Sequence, residues 1–274
     1  MQLYCFFASR FIGREIKIVR SVRGVETRNS HQYRNILYRF YPATLLAVCE
    51  YAKDTLIKLG AREKQIIVTY NGADLKRFDK DKLSYNEKRE AYGVKANEIL
   101  IGHVGAFSGW KGQEVLIESL YALIQSGIEN VKVMFVGDGR SKIECEELVK
   151  KYRLENNVIF AGRVMESEAY HMAFDIYCQP STKGELFPNS IVEALALGKP
   201  WVGTNISGLP ELSASGNAGF IVEPSNVLEL QEALSKLIKS KTLRDEMGKC
   251  GYDSVLQKFT IEKVCDRISQ GYKV

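Results

Sequence analysis

Two carboxylates lie eight residues apart in the stretch from Asp175 to Glu211, DIYCQPSTKGELFPNSIVEALALGKPWVGTNISGLPE. Glu185 falls in a polar loop and Glu193 in the segment that follows. There Ile191, Val192, Ala194, Leu195 and Leu197 recur with helical spacing, Asn189 or Ser190 is a good N-cap, and Gly198 stops the helix. The start of such a helix, at Asn189 to Ile191, offers free N–H groups and the positive end of the helix dipole, which suits a phosphate. Paired carboxylates also hydrolyse glycosides when they stand about 5–5.5 Å or about 6.5–9.5 Å apart. Eight helical residues rise about 12 Å, but Glu185 precedes the helix, so the spacing leaves this distance open. A phosphate site has no use in a hydrolase and weighs against that reading. Lys111-Gly112 opens a second helix further upstream, and by residue type alone this is a surface lysine beside a turn glycine.

E-x7-E between the Pro180-Ser181 loop and the E-A-x-A-x-G-K-P run from Glu193 to Pro200 resembles the retaining glycosyltransferases of family 4, which have the GT-B fold. The resemblance implies that Glu185 faces the donor sugar and that Glu193 binds the nucleotide ribose. Val104 to Gly112 is similar to the family's V-G-R-x-x-x-x-K-G pattern. It keeps Gly105 and implies that Lys111 neutralises the donor diphosphate, a task a compact ammonium performs well. Ala106 stands where the family has Arg, which removes one expected phosphate contact. Gly162 to Val164 is similar to a G-x-V whose backbone contacts the nucleobase, making Arg163 a candidate there. Lys111 and Glu185 are thus the implied catalytic residues, and Glu193, Asn189, Ser190, Ile191, Gly105 and Arg163 complete the implied donor site.

Other motifs fall away. Gly105 to Gly112 lacks the G-K-[ST] of a P-loop, and Gly137-Asp138-Gly139 lacks the third glycine of a dinucleotide fingerprint, because Lys142 occupies its place. Asp79-Lys80-Asp81 matches the D-x-D of metal-dependent transferases. It sits in a charged linker with no buried strand before it, and reads as solvated surface. Lys111 and a helix N-terminus supply the positive field, so neither a metal nor a cofactor is expected beyond the nucleotide sugar itself.

These residues need an alternating scaffold to position them. Short apolar runs at Ile99 to Val104, Val131 to Val136, Val158 to Ala161, Ile176 to Cys178, Pro200 to Thr204 and Gly219 to Val222 read as buried parallel strands. Helical periodicity fills Gln113 to Gln125 and Lys142 to Tyr152, and later Val227 to Ile238, Thr242 to Gln257 and Ile261 to Tyr272. In such α/β sheets ligands bind at the C-terminal ends of the strands. Upstream, strands are expected at Ile16 to Val19, Thr44 to Val48 and Gln65 to Thr69, with helices around Gln32 to Phe40 and from Tyr51 to Leu59. The N-G-x-D-x-x-x-F at Asn71 to Phe78 is similar to the junction between the two domains of the family.

The implied fold is therefore α/β, GT-B, with a doubly wound Rossmann-like C-terminal donor domain at 81–257. A partial N-terminal Rossmann-like domain occupies 1–80, and 258–274 crosses back to it. The glycine-rich start expected of an N-terminal domain has no counterpart, so the acceptor side is expected to be incomplete. Family members often carry a His after the strand matching Ile16 to Val19. None occurs in RSVRGVE, and His31 reads as a surface residue.

The chain has 274 residues, 45% hydrophobic and 26% charged, as in an ordinary globular protein. A net charge of +5 argues against a nucleic-acid partner and is compatible with an anionic ligand. Arg10, Arg14, Lys17, Arg20, Arg23, Arg28, Arg34 and Arg39 outnumber Glu15, Glu26 and Glu50. They form either a solvated surface or one for a peripheral contact with anionic membrane or a phosphate-bearing acceptor. Cys5, Cys49, Cys145, Cys178, Cys250 and Cys265 form no C-x-x-C pair, several sit in apolar contexts, and they read as reduced, buried thiols of a cytoplasmic protein.

The function implied is transfer of a sugar from a nucleoside-diphosphate sugar to a glycan or lipid-linked acceptor, in cell-surface polysaccharide or lipopolysaccharide synthesis. Two alternatives are an inactive nucleotide-binding fragment and a GT-B sugar-nucleotide epimerase.

Overall fold

The computed structural model describes residues 18–24, 38 and 43–273. It divides into two units, Met1–Tyr70 with Glu262–Val274, and Asn71–Ile261. In the first unit, β1 (Ile18–Val22), β2 (Ala43–Ala47) and β3 (Ile66–Val68) form a parallel sheet in that order, and α1 (Glu50–Lys58) links the last two. Being central, β2 is the most buried of the three, with Ala43, Leu45, Leu46 and Ala47 enclosed; α1 buries Ala52 and Leu56. The first strand runs beyond its expected end at Val19, because pairing with β2 continues to Val22. Ile16, the helix around Gln32 to Phe40 apart from Tyr38, His31, Cys5 and six of the eight basic residues (Arg10, Arg14, Lys17, Arg28, Arg34 and Arg39) lie outside the described residues.

The second unit opens with α2 (Tyr85–Ala91), a helix absent from the sequence-based expectations because YNEKREA has no apolar stripe. It continues through β4 (Ile99–Val104), α3 (Gln113–Gln125), β5 (Val131–Val136), α4 (Lys142–Tyr152) and β6 (Val158–Gly162). Next come α5 (Glu168–Ala173), β7 (Ile176–Gln179), α6 (Asn189–Ala196), β8 (Trp201–Thr204) and β9 (Gly219–Val222). The helices α7 (Val227–Lys239), α8 (Lys241–Ser254) and α9 (Ile261–Lys273) end the chain. The helix expected to run on to Gln257 stops at Ser254, where a π-helical turn, Val255–Phe259, buries Val255 and Phe259. From Glu262 onward α9 belongs to the first unit, where a Cβ on Gly271 would come within 2.9 Å of Leu46.

All six strands of the second sheet are parallel, in the order β6-β5-β4-β7-β8-β9. α3 packs with α4 and α7; α6 packs with α5 and α8. The core consists of the apolar faces of these helices and strands, with Leu116, Leu120, Phe135, Phe174, Tyr177 and Trp201 fully buried. Cys49, Cys145 and Cys178 are buried, as expected, whereas Cys250 and Cys265 are exposed. Among the described residues, no helix is long and apolar enough to cross a membrane.

Charge rather than apolar area fixes α2. Arg89 is 2% exposed. Its guanidinium donates to Asp175 Oδ2 at 2.9 Å and to the carbonyls of Ala173, Lys95 and Glu98. Asp175 also accepts from Tyr85 Oη at 2.6 Å and from the backbone N–H of Leu100 at 2.8 Å. Removing one partner of a buried pair strands the other charge. Arg89→Ala is therefore expected to cost about 3–5 kcal/mol in urea unfolding. A loss below about 1 kcal/mol, the range of an exposed pair, would show that water reaches this network.

Candidate functional site

The order of the second sheet parts the chain between β4 and β7: β4 leads outward to β5 and β6, and β7 to β8 and β9. A crevice at the C-terminal ends of two such strands is where this class of sheet holds ligands. The loop after β4 carries Gly105 and Lys111, and the loop after β7 carries Glu185. Close backbone contact joins them. Gly112 has φ +77° and caps α3, and a Cβ there would lie 1.8 Å from the Pro180 carbonyl oxygen. The Thr182 N–H donates to the Trp110 carbonyl at 2.8 Å. Gly137, after β5, comes equally near, since its Cβ would lie 2.0 Å from the Gly105 carbonyl oxygen.

In this frame Lys111 Nζ is ion-paired with Glu185 Oε1 and lies 4.7 Å from the centre of the Trp110 ring. Glu185 is nearly buried, its side chain 8% exposed. A second layer holds it. Ser181 Oγ and Gln179 Nε2 both donate to its Oε1 at 3.3 Å, and Gln179 Nε2 also donates to Ser181 Oγ at 2.8 Å. On the other end of the amide, Gln179 Oε1 accepts from Tyr177 Oη at 2.8 Å and from Ser190 Oγ at 3.4 Å. The structure thus unites the two implied catalytic residues and adds Tyr177, Gln179 and Ser181, which the sequence reading had not assigned to the site. Their signal was present: polar side chains at every second position from a buried strand share one face and need partners.

α6 starts at Asn189, with Pro188 rather than Asn189 or Ser190 at the cap position and no side-chain cap bond. The Ser190 hydroxyl is turned towards Gln179 instead. Ile191 is buried, Asn189 exposed and Ser190 half-buried at this helix start. Glu193, one turn further on, is not part of the Lys111–Glu185 cluster. Its Oε2 stands 3.8 Å from His171 Nε2, and burial pushes its pKa up to about 6 against the opposing pull of Arg77. Arg77 is itself paired with Glu168 at 2.8 Å. His171 is wholly buried, its ring nitrogens 3.0 and 3.2 Å from the carbonyls of Ser167 and Ser190, and burial lowers its pKa to about 4.

Gly105 and Arg163 line a cavity of about 840 Å³ together with Ala106, Asp138, Gly139 and Met165. It lies at the ends of β4, β5 and β6, where Val104, Val136, Val164 and Met165 supply apolar walls and Asp138, Arg163 and Ser167 supply polar groups. Asp79, of the D-x-D, is paired with Lys82 at 2.9 Å and accepts the Asp81 N–H at 3.0 Å.

The sequence profile of the family described as glycosyl transferases group 1 matches residues 84–254. The chain is similar to the N-acetyl-alpha-D-glucosaminyl L-malate synthase of Bacillus anthracis, with 26% identity over 97% of this chain and 70% of that one. It is 27% identical to the capsular polysaccharide biosynthesis glycosyltransferase CapM of Staphylococcus aureus, over 85% of this chain and 62% of CapM. The crystal structure of Anabaena Alr3699/HepE in complex with UDP superposes with a TM-score of 0.88 at 25% identity, covering 99% of this chain and 76% of that one. This likeness bears out the α/β, GT-B fold class implied by the sequence.

The titrations set a pH dependence. Burial holds His103 and His171 neutral, each with its pKa lowered from 6.5 to about 4. Their contribution to stability is complete above the unfolded value and is lost as pH falls from 6.5 towards 4. Each is worth on the order of 3 kcal/mol over that interval. Glu193, raised from 4.5 to about 6, works the other way and offsets part of the loss. Urea unfolding at about pH 7 and about pH 4.5 should show a clear net fall in stability on acidification. A flat or rising profile would contradict the buried, neutral state of both rings.

Proposed function

The chain belongs to the glycosyl transferases group 1 family, and we propose that it is a retaining glycosyltransferase using a nucleoside-diphosphate sugar. The observation that carries this reading is the Lys111–Glu185 ion pair at the parting of β4 and β7. A cation and a carboxylate held together there can exchange partners. Lys111 turns to the diphosphate, and Glu185 accepts the hydroxyls of the sugar. Lys111 and the amides of Asn189 to Ile191 stabilise the charge that grows on the leaving group, as preorganised donors in a site screened from water do. Glu193 accepts the ribose hydroxyls, and the cavity beside Gly105 and Arg163 takes the nucleobase. Support comes from Alr3699/HepE, whose structure holds UDP, and from CapM, whose name places it in capsular polysaccharide biosynthesis. A glycan or lipid-linked acceptor of cell-surface polysaccharide synthesis fits that company, with the reaction on the cytoplasmic side and a peripheral contact with anionic membrane.

Two measurements test the donor half of this reading. Glu193→Gln should weaken nucleotide binding by about 1.5–3 kcal/mol, the range for a hydrogen bond to a charged group, or roughly ten- to a hundredfold. Calorimetry showing unchanged affinity for both UDP and GDP would remove Glu193 from the ribose. Donor binding should also be indifferent to divalent cations, since Lys111 and a helix terminus supply the positive field. Binding that collapses in EDTA and returns with Mn²⁺ would overturn that assignment.

A further inference from the structure

His103, the fifth residue of β4, is an ionisable side chain that the roles assigned above leave unused. It is wholly buried, with its Nδ1 2.9 Å from the Cys178 carbonyl oxygen on the neighbouring strand β7. A carbonyl only accepts, so Nδ1 carries the proton. In a neutral ring Nε2 is then a bare lone pair, and this buried atom has no hydrogen-bond partner. An unsatisfied buried acceptor is costly and calls for an explanation.

The neighbours of Nε2 supply one. A Cβ built on Gly105 would lie 3.2 Å from it and 3.9 Å from Lys111 Cδ. Gly105 is not among the positive-φ residues, so its backbone does not demand glycine. The missing side chain leaves a slot through which Nε2 faces the loop carrying Lys111. Phe135 on β5 meets the other side of the ring edge-on, 6.0 Å between centroids. Lys111 is the charged group that bears on His103, and Lys111 is itself neutralised by Glu185. A diphosphate diester brings two negative charges to a pair whose net charge is zero. Its oxygens only accept, so a bare Nε2 cannot bond them, whereas an Nε2–H can.

We propose that His103 takes up a proton from solvent when the diphosphate binds, and that the resulting imidazolium is the second positive charge of the phosphate subsite. The inference rests on the donor-site reading above and adds to it a residue and a proton. In the free protein, burial and Lys111 hold the ring neutral, with its pKa lowered to about 4. When Lys111 leaves Glu185 for the phosphate, two anionic oxygens face the slot and favour the charged ring. No bond between heavy atoms changes: an N–H bond forms at Nε2 with a proton given up by a buffer acid in the solvent, and on release that bond breaks and the proton returns to the solvent.

The test uses the whole chain labelled with nitrogen-15 histidine, which gives three imidazoles, of which His103→Gln identifies one. The probes are UDP-glucose, GDP-mannose and inorganic pyrophosphate, at about pH 7.5, where a free buried ring is neutral. In the free protein, His103 Nε2 should give the signal of an unprotonated ring nitrogen. Saturation with a probe that binds should move it to that of a protonated one. Between about pH 7 and 8, above the range in which Glu193 titrates near 6, the affinity for the sugar nucleotide, whose diester phosphates do not titrate there, should fall about tenfold per pH unit. That dependence should vanish in His103→Gln. Binding with Nε2 unprotonated, or a pH-independent affinity, overturns the proposal and leaves the donor site standing. Failure of all three probes to bind overturns the donor-site reading and this inference with it. Variants of His31 and His171 assign His103 by elimination, so the labelled protein decides the matter even if His103→Gln does not fold.

Discussion

The site depends on one constraint of connectivity. β4 and β7 are hydrogen-bonded neighbours, yet the chain leaves them towards opposite edges of the sheet. The helices that follow are drawn into different layers, α3 with α4 and α7, α6 with α5 and α8. Between the two departures the strand ends are left uncovered, and two loops meet above them without a crossing connection. Gly112 sets how near those loops come, and Gly137 how near the loop after β5 comes to the loop after β4, because any Cβ at either position would overlap a carbonyl oxygen. Lys111 and Glu185 are therefore brought together by backbone geometry before electrostatics acts on them.

What electrostatics then adds is orientation. A carboxylate as enclosed as Glu185 needs hydrogen bonds as well as a counter-charge. Gln179 provides these in series, accepting from Tyr177 and Ser190 through its oxygen and donating to Ser181 and Glu185 through its nitrogen. An amide has two ends of fixed and opposite polarity, so this chain of bonds has one sense. Lys111, Ser181 and Gln179 all bond the same carboxylate oxygen, Oε1. The Arg89–Asp175 network is the counterpart at the opposite end of β7, where the same kind of enclosed charge fastens α2 to the sheet.

Much of this was legible in the sequence, for identifiable reasons. The six strands of the second sheet are short apolar runs bounded by glycine, proline or polar turns, and their places follow from hydrophobicity alone. α3 and α7 show an uninterrupted apolar stripe. Glu185, Lys111 and Glu193 could be singled out because a spaced pattern of rare combinations is more specific than any single residue. α2 was illegible because its anchoring side chain is an arginine, and composition treats arginine as surface. The cap of α6 was misplaced because Ser190, a good cap by type, spends its hydroxyl on Gln179, a partner known only from the fold. Gln179 and His103 sit inside apolar strands, where pattern reading registers a strand and passes over the polar exception.

The bridge between Lys111 and Glu185 also makes the crevice selective by reach. An unpaired lysine would concentrate any small anion from the surrounding solution. Here the ammonium is already satisfied and sits against an indole ring, so a lone phosphate gains little by displacing a carboxylate that is held in place from behind. A ligand that also fills the cavity beside Gly105 and Arg163 has binding energy to spare from elsewhere, and can turn the lysine towards itself. On the proposed donor reading the bridge behaves as a latch that answers to the length of a molecule rather than to its charge, and it closes again when the nucleotide leaves.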